Sequence, residues 1–165
     1  MLRFSLFLLI SIFTIYIFQK SDIPQIDIQK ADTIIIEKSL RKLSLLKEGK
    51  VFKSYKISLG REPIGDKMRE GDGKTPEGEY TIDWRNPKSK FHLSLHISYP
   101  SQTDLNFGKT GSNIMIHGLP NGLSVFDNLY FKGRDWTEGC IAVSNIEIEE
   151  IWNSVENGTK ILIEN

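Results

Sequence analysis

The sequence predicts a mainly β domain, a β-sandwich or barrel with one α-helix in its C-terminal region, behind an apolar N-terminal segment. Three observations lead there. Short runs of β-branched or alternating apolar residues recur at close spacing from Thr33 onward, as half-buried strands do. Only one stretch, near the C-terminus, repeats its apolar residues at helical spacing. Many short strands with a single good helix pack as a sandwich or barrel, not as alternating βαβ units.

Taken in order, the chain opens with FSLFLLISIFTIYIF, residues 4–18, which is free of charge and flanked by Arg3 and Lys20. A helix over this run is ~22 Å long, short of a ~30 Å hydrocarbon core, but Leu2 extends it and the flanking cations can snorkel. Its exit, IYIFQKSD, lacks the small residues of a cleavage site. Residues 1–20 are therefore expected to be an uncleaved membrane anchor, with a cleaved signal peptide as the alternative. Residues 21–32, SDIPQIDIQKAD, read as a polar linker, and residues 33–165 as one domain.

Within that domain TIIIEKS, RKLSLL and VFKSYKISLG form a meander, with a turn at Glu48-Gly49 and with Val51, Tyr55 and Ile57 on one face. Arg61 to Tyr80 is rich in glycine and proline and reads as a long structured loop. EYTIDW and FHLSLHISY are further strands. In the second, Phe91, Leu93, Leu95 and Ile97 face one way, and His92, Ser94, His96 and Ser98 the other. NIMIH and CIAV follow as short strands. Ser144 and Glu147 match a capping box, Ile148, Ile151, Trp152 and Val155 then recur at helical spacing, and Gly158 is the expected stop. TKILIE closes the domain.

The composition excludes several classes. The 165 residues carry 21 basic and 21 acidic side chains, so no charged field points to nucleic acid. Neither a metal-ligand cluster nor a phosphate-binding loop is visible, and no cofactor is expected. His92 and His96, four apart on a strand, stand ~13 Å from each other, too far to share one metal ion.

The single cysteine, Cys140, excludes an internal disulfide and leaves an inert buried thiol, an intermolecular bridge or a reactive group. Its context favours the last. Thr137, Glu138 and Gly139 before it are polar or small, as in an exposed elbow whose backbone N–H groups can face an oxyanion. A thiol needs a base, and the helix that follows starts too late to serve it. His117 ends the apolar strand NIMIH and precedes Gly118, which delivers an imidazole to a strand rim. If that strand neighbours CIAV, the two side chains meet. A papain-type arrangement would need a helix starting at the cysteine, and CIAVSN reads as strand.

Two motifs in this order resemble the L,D-transpeptidase catalytic-domain family (YkuD-type). They are Ile116-His117-Gly118 with Thr137-x-Gly139-Cys140-Ile141, and upstream Leu59-Gly60, Pro63-x-Gly65-x-Lys67 and Gly71-Asp72-Gly73-Lys74-Thr75-Pro76 through Gly78-Glu79-Tyr80. The resemblance implies a β-sandwich acting outside the bacterial cytoplasmic membrane, here on the outer side of the inner membrane, on peptidoglycan stem peptides. Cys140 would attack an L-centre carbonyl, usually of meso-diaminopimelate, and expel the terminal D-alanine. His117 would take the thiol proton and later activate the incoming amine. The Gly118 carbonyl would orient the ring, the N–H groups of Gly139 and Cys140 would hold the oxyanion, and Thr137 would support the loop. Lys67, Lys74, His96 and Trp136 are candidates for substrate contact.

The chain also departs from the family pattern. Glu138 stands where many members have a second histidine, and Ala142 where arginine or asparagine is common. The longer stretch LSVFDNLYFKGRDW is expected to cover the site, and its Asp135-Trp136 is similar to a loop of a cell-wall subgroup that includes hydrolases. Acyl transfer to an amine is the favoured reaction. Hydrolysis of stem peptides, or of a protein link to them, and a non-catalytic cell-wall-binding module remain alternatives.

Overall fold

The computed structural model describes residues 28–123, 130–131 and 133–165. The expected anchor, most of the linker and the middle of LSVFDNLYFKGRDW lie outside them. The elements are β1 (Thr33–Glu37), β2 (Lys42–Lys47), β3 (Lys50–Lys56), β4 (Gly78–Ser89), β5 (His92–Ile97), α1 (Gln102–Asn106), β6 (Met115–His117), β7 (Ile141–Ala142), α2 (Asn145–Ser154) and β8 (Lys160–Glu164).

Each strand forms where alternation or β-branching predicts it, and pairing arranges them in the order β3–β2–β1–β8–β4–β5–β6–β7. The β2–β3 hairpin turns on Glu48 and Gly49, both at positive φ, which suits the strand twist. β4 is far longer than EYTIDW alone. Gly78–Thr81 pairs with β8, and the stretch from Ile82 to Ser89 pairs with β5, so one strand belongs to two sheets. Past β3 the chain reaches Ser58, which exchanges two backbone hydrogen bonds of 2.8 Å with Ala142. Gly60 then bridges to Thr137. The outer ends of the strand order are thereby joined, and the sheet curls around one core of Ile, Leu, Val and Tyr side chains.

Helix α2 covers part of that core. Ser144 accepts from the Glu147 N–H and the Glu147 carboxylate accepts from the Ser144 N–H, so the box closes as expected. Ile148 and Ile151 are fully buried. The helix stops at Ser154, before Gly158: Val155 takes an extended conformation that suits its β-branch, and keeps its side chain in the core. Gly158 instead sits in the turn before β8 at φ +91°. Helix α1 was not foreseen. It spans 5 residues and is capped by Ser101 and Asp104. Val51 does not share the buried face of Tyr55 and Ile57. A register shift near Phe52 turns it out on the edge strand, where it is 56% exposed.

The loop from Arg61 to Glu77 contains no helix, yet it is tied down from within. The side chain of Lys38 is 0% exposed, and its ammonium donates to Gly65 O at 2.7 Å, Thr75 O at 3.0 Å and Glu77 Oε1 at 2.8 Å. All three donors are thus satisfied. Asp72 accepts from the N–H groups of Met68, Arg69 and Lys74 and from Lys67 Nζ, which holds its carboxyl far below the usual range although burial pushes it up. Replacing Lys38 with Met strands Glu77 and two carbonyls. The expected cost is about 3 kcal/mol, read as a lower denaturant midpoint at unchanged slope. A loss under about 0.5 kcal/mol would show that the loop stands without it.

Candidate active site

Strands β6 and β7 run parallel, with Ile116 opposite Ile141 and His117 opposite Ala142. Cys140 precedes β7, and the same register carried back one residue places it level with Met115. Residues two apart on a strand share a face, as do directly paired residues. Cys140, Ala142, Met115 and His117 therefore project from one face, while Ile116 and Ile141 fill the core on the other. Strand spacings put the Cα atoms of His117 and Cys140 at roughly 8 Å, a gap that two side chains can bridge.

Backbone closeness builds the elbow at the thiol. Gly139 has φ +124°, and a Cβ there would stand 2.5 Å from Lys74 O, so no other residue fits. Thr137 Oγ1 accepts from the Gly139 N–H at 3.1 Å and donates to Cys140 O at 2.7 Å, clipping the turn shut. The Gly139 N–H is thus already engaged, and Cys140 N–H makes no hydrogen bond among the described residues. Cys140 is partly exposed, with Sγ 3.5 Å from Asn113 O.

His117 is held from two sides. Its Nδ1–H donates to Gly118 O at 2.6 Å, which leaves Nε2 with a lone pair. Gly118 cannot carry a side chain, because a Cβ would meet Asn145 Oδ1 at 2.6 Å. That same oxygen accepts from the Leu119 N–H at 2.8 Å and ties the segment to α2. Around the imidazole stand Phe91, with ring centroids 4.4 Å apart, and Trp136, 5.7 Å away and edge-on, with Phe131 packed on Trp136 at 4.9 Å. His117 is 3% exposed. Burial among these rings lowers its pKa to about 4, against a smaller upward pull from the Gly118 bond. Burial likewise pushes the Cys140 thiol up, and the Met115 N–H and the charge of Lys67 draw it part of the way back. At neutral pH both groups are therefore neutral, a thiol and an imidazole on one face of the sheet.

The model of the L,D-transpeptidase catalytic domain, YkuD, matches residues 31–163. The chain belongs to this family. Among L,D-transpeptidase relatives, YafK of Escherichia coli, itself named only provisionally as an L,D-transpeptidase, is 34% identical over 105 residues, 62% of this chain and 36% of YafK. The helical cell shape determining protein Pgp2 of Campylobacter jejuni is 30% identical with a TM-score of 0.64, covering 81% of this chain and 47% of Pgp2. Bd1075 of Bdellovibrio bacteriovorus is 26% identical with a TM-score of 0.60, covering 83% and 51%. The chain thus spans about a third to a half of the length of these relatives.

The remaining candidates fall in different places around this L,D-transpeptidase elbow. Trp136 lies on His117, and its buried Nε1–H meets no acceptor among the described residues. Lys67 is buried, bound to Asp72 at 2.8 Å and to Arg69 O at 3.1 Å. Its charge reaches the thiol, but two of its donors are spent inside the loop. Lys74 presents its main chain to Gly139, while its ammonium lies beside Gly65. His96 sits across Met115 from Cys140 and bonds to Asp83. His92 pairs with Glu149 on the exterior. Glu138 pairs with Arg61 at the surface. Ala142 is buried between His117 and Ser58.

Three participants were missed. Phe91 and Phe131 complete the aromatic surround. Asp135 takes a forked bond from Arg41, at 3.1 Å from Nε and 2.7 Å from Nη2, and accepts from the Leu59 N–H at 2.9 Å, which fastens the segment carrying Trp136. The sequence signals were the Asp135-Trp136 pair and the stretch LSVFDNLYFKGRDW, expected to cover the site, which holds Phe131 and Asp135; Phe91 left none.

A depressed histidine pKa has a stability signature. Above the unfolded value of 6.5 neither state binds the proton, and the buried neutral ring costs nothing extra. As pH falls from 6.5 toward 4 the unfolded chain takes up a proton that the folded one refuses, and stability is lost. Between pH 7 and pH 5 the wild type should lose about 2 kcal/mol more than His117→Gln in denaturant titrations. Equal losses would place the imidazole in a wetter site.

Proposed function

We propose that this chain is a peptidoglycan L,D-transpeptidase that works through a Cys140 thioester. The observation that carries this is the β6–β7 register, which brings a tautomer-fixed imidazole and the sole thiol onto one face beside a glycine elbow. Membership of the L,D-transpeptidase catalytic-domain family supports the substrate class.

The donor is a stem peptide whose penultimate carbonyl carbon meets Cys140 Sγ. The thiol proton passes to His117 Nε2 as the C–S bond forms, and the carbonyl oxygen gathers negative charge that the Cys140 N–H can receive. Collapse breaks the C–N bond, the imidazolium returns its proton to the departing D-alanine amine, and a thioester remains. An incoming amine then gives a proton to Nε2, attacks the thioester, and the sulfur leaves and regains its proton. Because the ring stays neutral down to about pH 4, the base is available across the physiological range. Water in place of the amine would give a hydrolase by the same thioester. The apolar wall of Phe91, Phe131 and Trp136 around the base favours the amine by keeping water sparse.

The N-terminal apolar run fits a protein held at the outer side of the inner membrane, where such substrates lie. A role in cell shape, as the name of Pgp2 states for that protein, fits an enzyme that remodels the wall.

Disaccharide-tetrapeptides incubated with the protein should lose D-alanine and join into dimers, read by mass spectrometry. Cys140→Ala should abolish both, and His117→Ala should lower kcat by about 10³. Loss of D-alanine without joining would replace transfer by hydrolysis, and binding without any loss would leave only a wall-binding module.

A further inference from the structure

The catalytic face continues beyond the thiol. In β4 the register slips between Ile82 and Trp84, so Asp83 is an extra residue and both Asp83 and Trp84 oppose His96. The bulge turns both side chains onto that histidine. Asp83 Oδ1 accepts from His96 Nδ1–H at 2.6 Å, and the Trp84 indole stacks on the imidazole at 5.0 Å with 20° between the planes. Nothing in the core needs this arrangement. Ile82, Leu95 and Ile97 fill the opposite face, while Trp84 remains 40% exposed. The His96 Nε2 has no partner among the described residues.

Pairing places this cluster in line with the nucleophile. His96 pairs with Met115, and Cys140 lies level with Met115 on its other side. Trp84, His96, Met115 and Cys140 thus form one row across four strands on the catalytic face. Three strand spacings put Trp84 ~14 Å from Cys140.

We propose that Trp84, His96 and Asp83 form a sugar subsite that holds the glycan ring from which the donor stem hangs. This rests on the transpeptidase reading above. An exposed indole offers a flat apolar face to the C–H face of a pyranose, and the imidazole–carboxylate pair beside it offers acceptors, His96 Nε2 and the Asp83 carboxylate, to the hydroxyl rim. The span agrees. The attacked carbonyl belongs to the third residue from the sugar, three extended residues cover ~10–11 Å, and the lactyl ether adds a few ångström more. A ring placed there overlies Trp84, while the attacked carbonyl reaches the thiol. The bulge makes the contact specific, because an unbulged β4 would turn one of the two side chains to the core.

The test has two arms. The protein has three tryptophans, so indole N–H signals can be followed by NMR in Cys140→Ala, where no turnover occurs. N-acetylglucosaminyl-N-acetylmuramic acid should shift the Trp84 signal, assigned by its absence in Trp84→Phe, while the sugar-free tetrapeptide should leave it unmoved. In the active protein, kcat/KM for the disaccharide-tetrapeptide should exceed that for the free tetrapeptide by about 10-fold, and Trp84→Ala should collapse that ratio toward one. A Trp84 signal that ignores the disaccharide, or that follows the peptide alone, overturns the subsite, as does an unchanged ratio in Trp84→Ala. The NMR arm needs no chemistry, so disaccharide binding without turnover would sink the transpeptidase reading and leave the subsite. Turnover of the free tetrapeptide without disaccharide binding would do the reverse.

Discussion

Everything at the site depends on the pairing of two very short strands. β6 and β7 come from segments more than twenty residues apart and contribute only two registered pairs, Ile116 with Ile141 and His117 with Ala142. A slip of one residue would turn Cys140 toward the core and Ile141 toward solvent, so burial of the isoleucines enforces the catalytic register. The pairing is braced from outside: Ser58 bonds to Ala142, and Leu59 and Arg61 bond to Thr137. The long glycine-rich loop adds the last constraint, because Lys74 O closes on Gly139. A fully buried lysine and an aspartate with three backbone donors keep that loop in place. The stability of a distant loop is thereby converted into the position of one sulfur atom.

Electrostatics follows from packing. Three aromatic rings remove water from His117 and favour its neutral form by roughly 3 kcal/mol relative to an exposed imidazole. The same dryness holds the proton on Cys140. Both shifts oppose a standing ion pair at neutral pH. The Gly118 carbonyl fixes the tautomer without adding a charge that would raise the ring pKa, and in the proposed mechanism it takes the place a carboxylate has in other triads.

Much of this was legible in the residues. Alternation or β-branching located β1, β2, β5, β6 and β8, and in β1 and β8 the burial itself alternates with period two. The capping box located the start of α2. His117 and Cys140 stood out because each ends or begins an apolar strand next to a glycine. The rest is long-range geometry that leaves no local trace. Lys38 reads as the polar end of the strand TIIIEKS, yet its acceptors lie 27 to 39 positions away. Helix α1 has neither apolar periodicity nor the usual glutamate in its box. The bulge at Asp83 and the shift at Phe52 are properties of pairs of strands, so a single strand pattern put Val51 on the wrong face. Phe91 reads as one more alternating residue, and only the fold reveals that its ring faces the base.

The proposed mechanism needs a His117 that is buried, neutral and fixed as the Nδ1–H tautomer. The most direct measurement is a pH titration of the His117 ring by nitrogen-15 NMR. The midpoint should lie near 4 and, above it, the shifts should identify a protonated Nδ1 and a bare Nε2. A midpoint at or above 6.5, or a ring that loses its proton in step with the thiol, would contradict it.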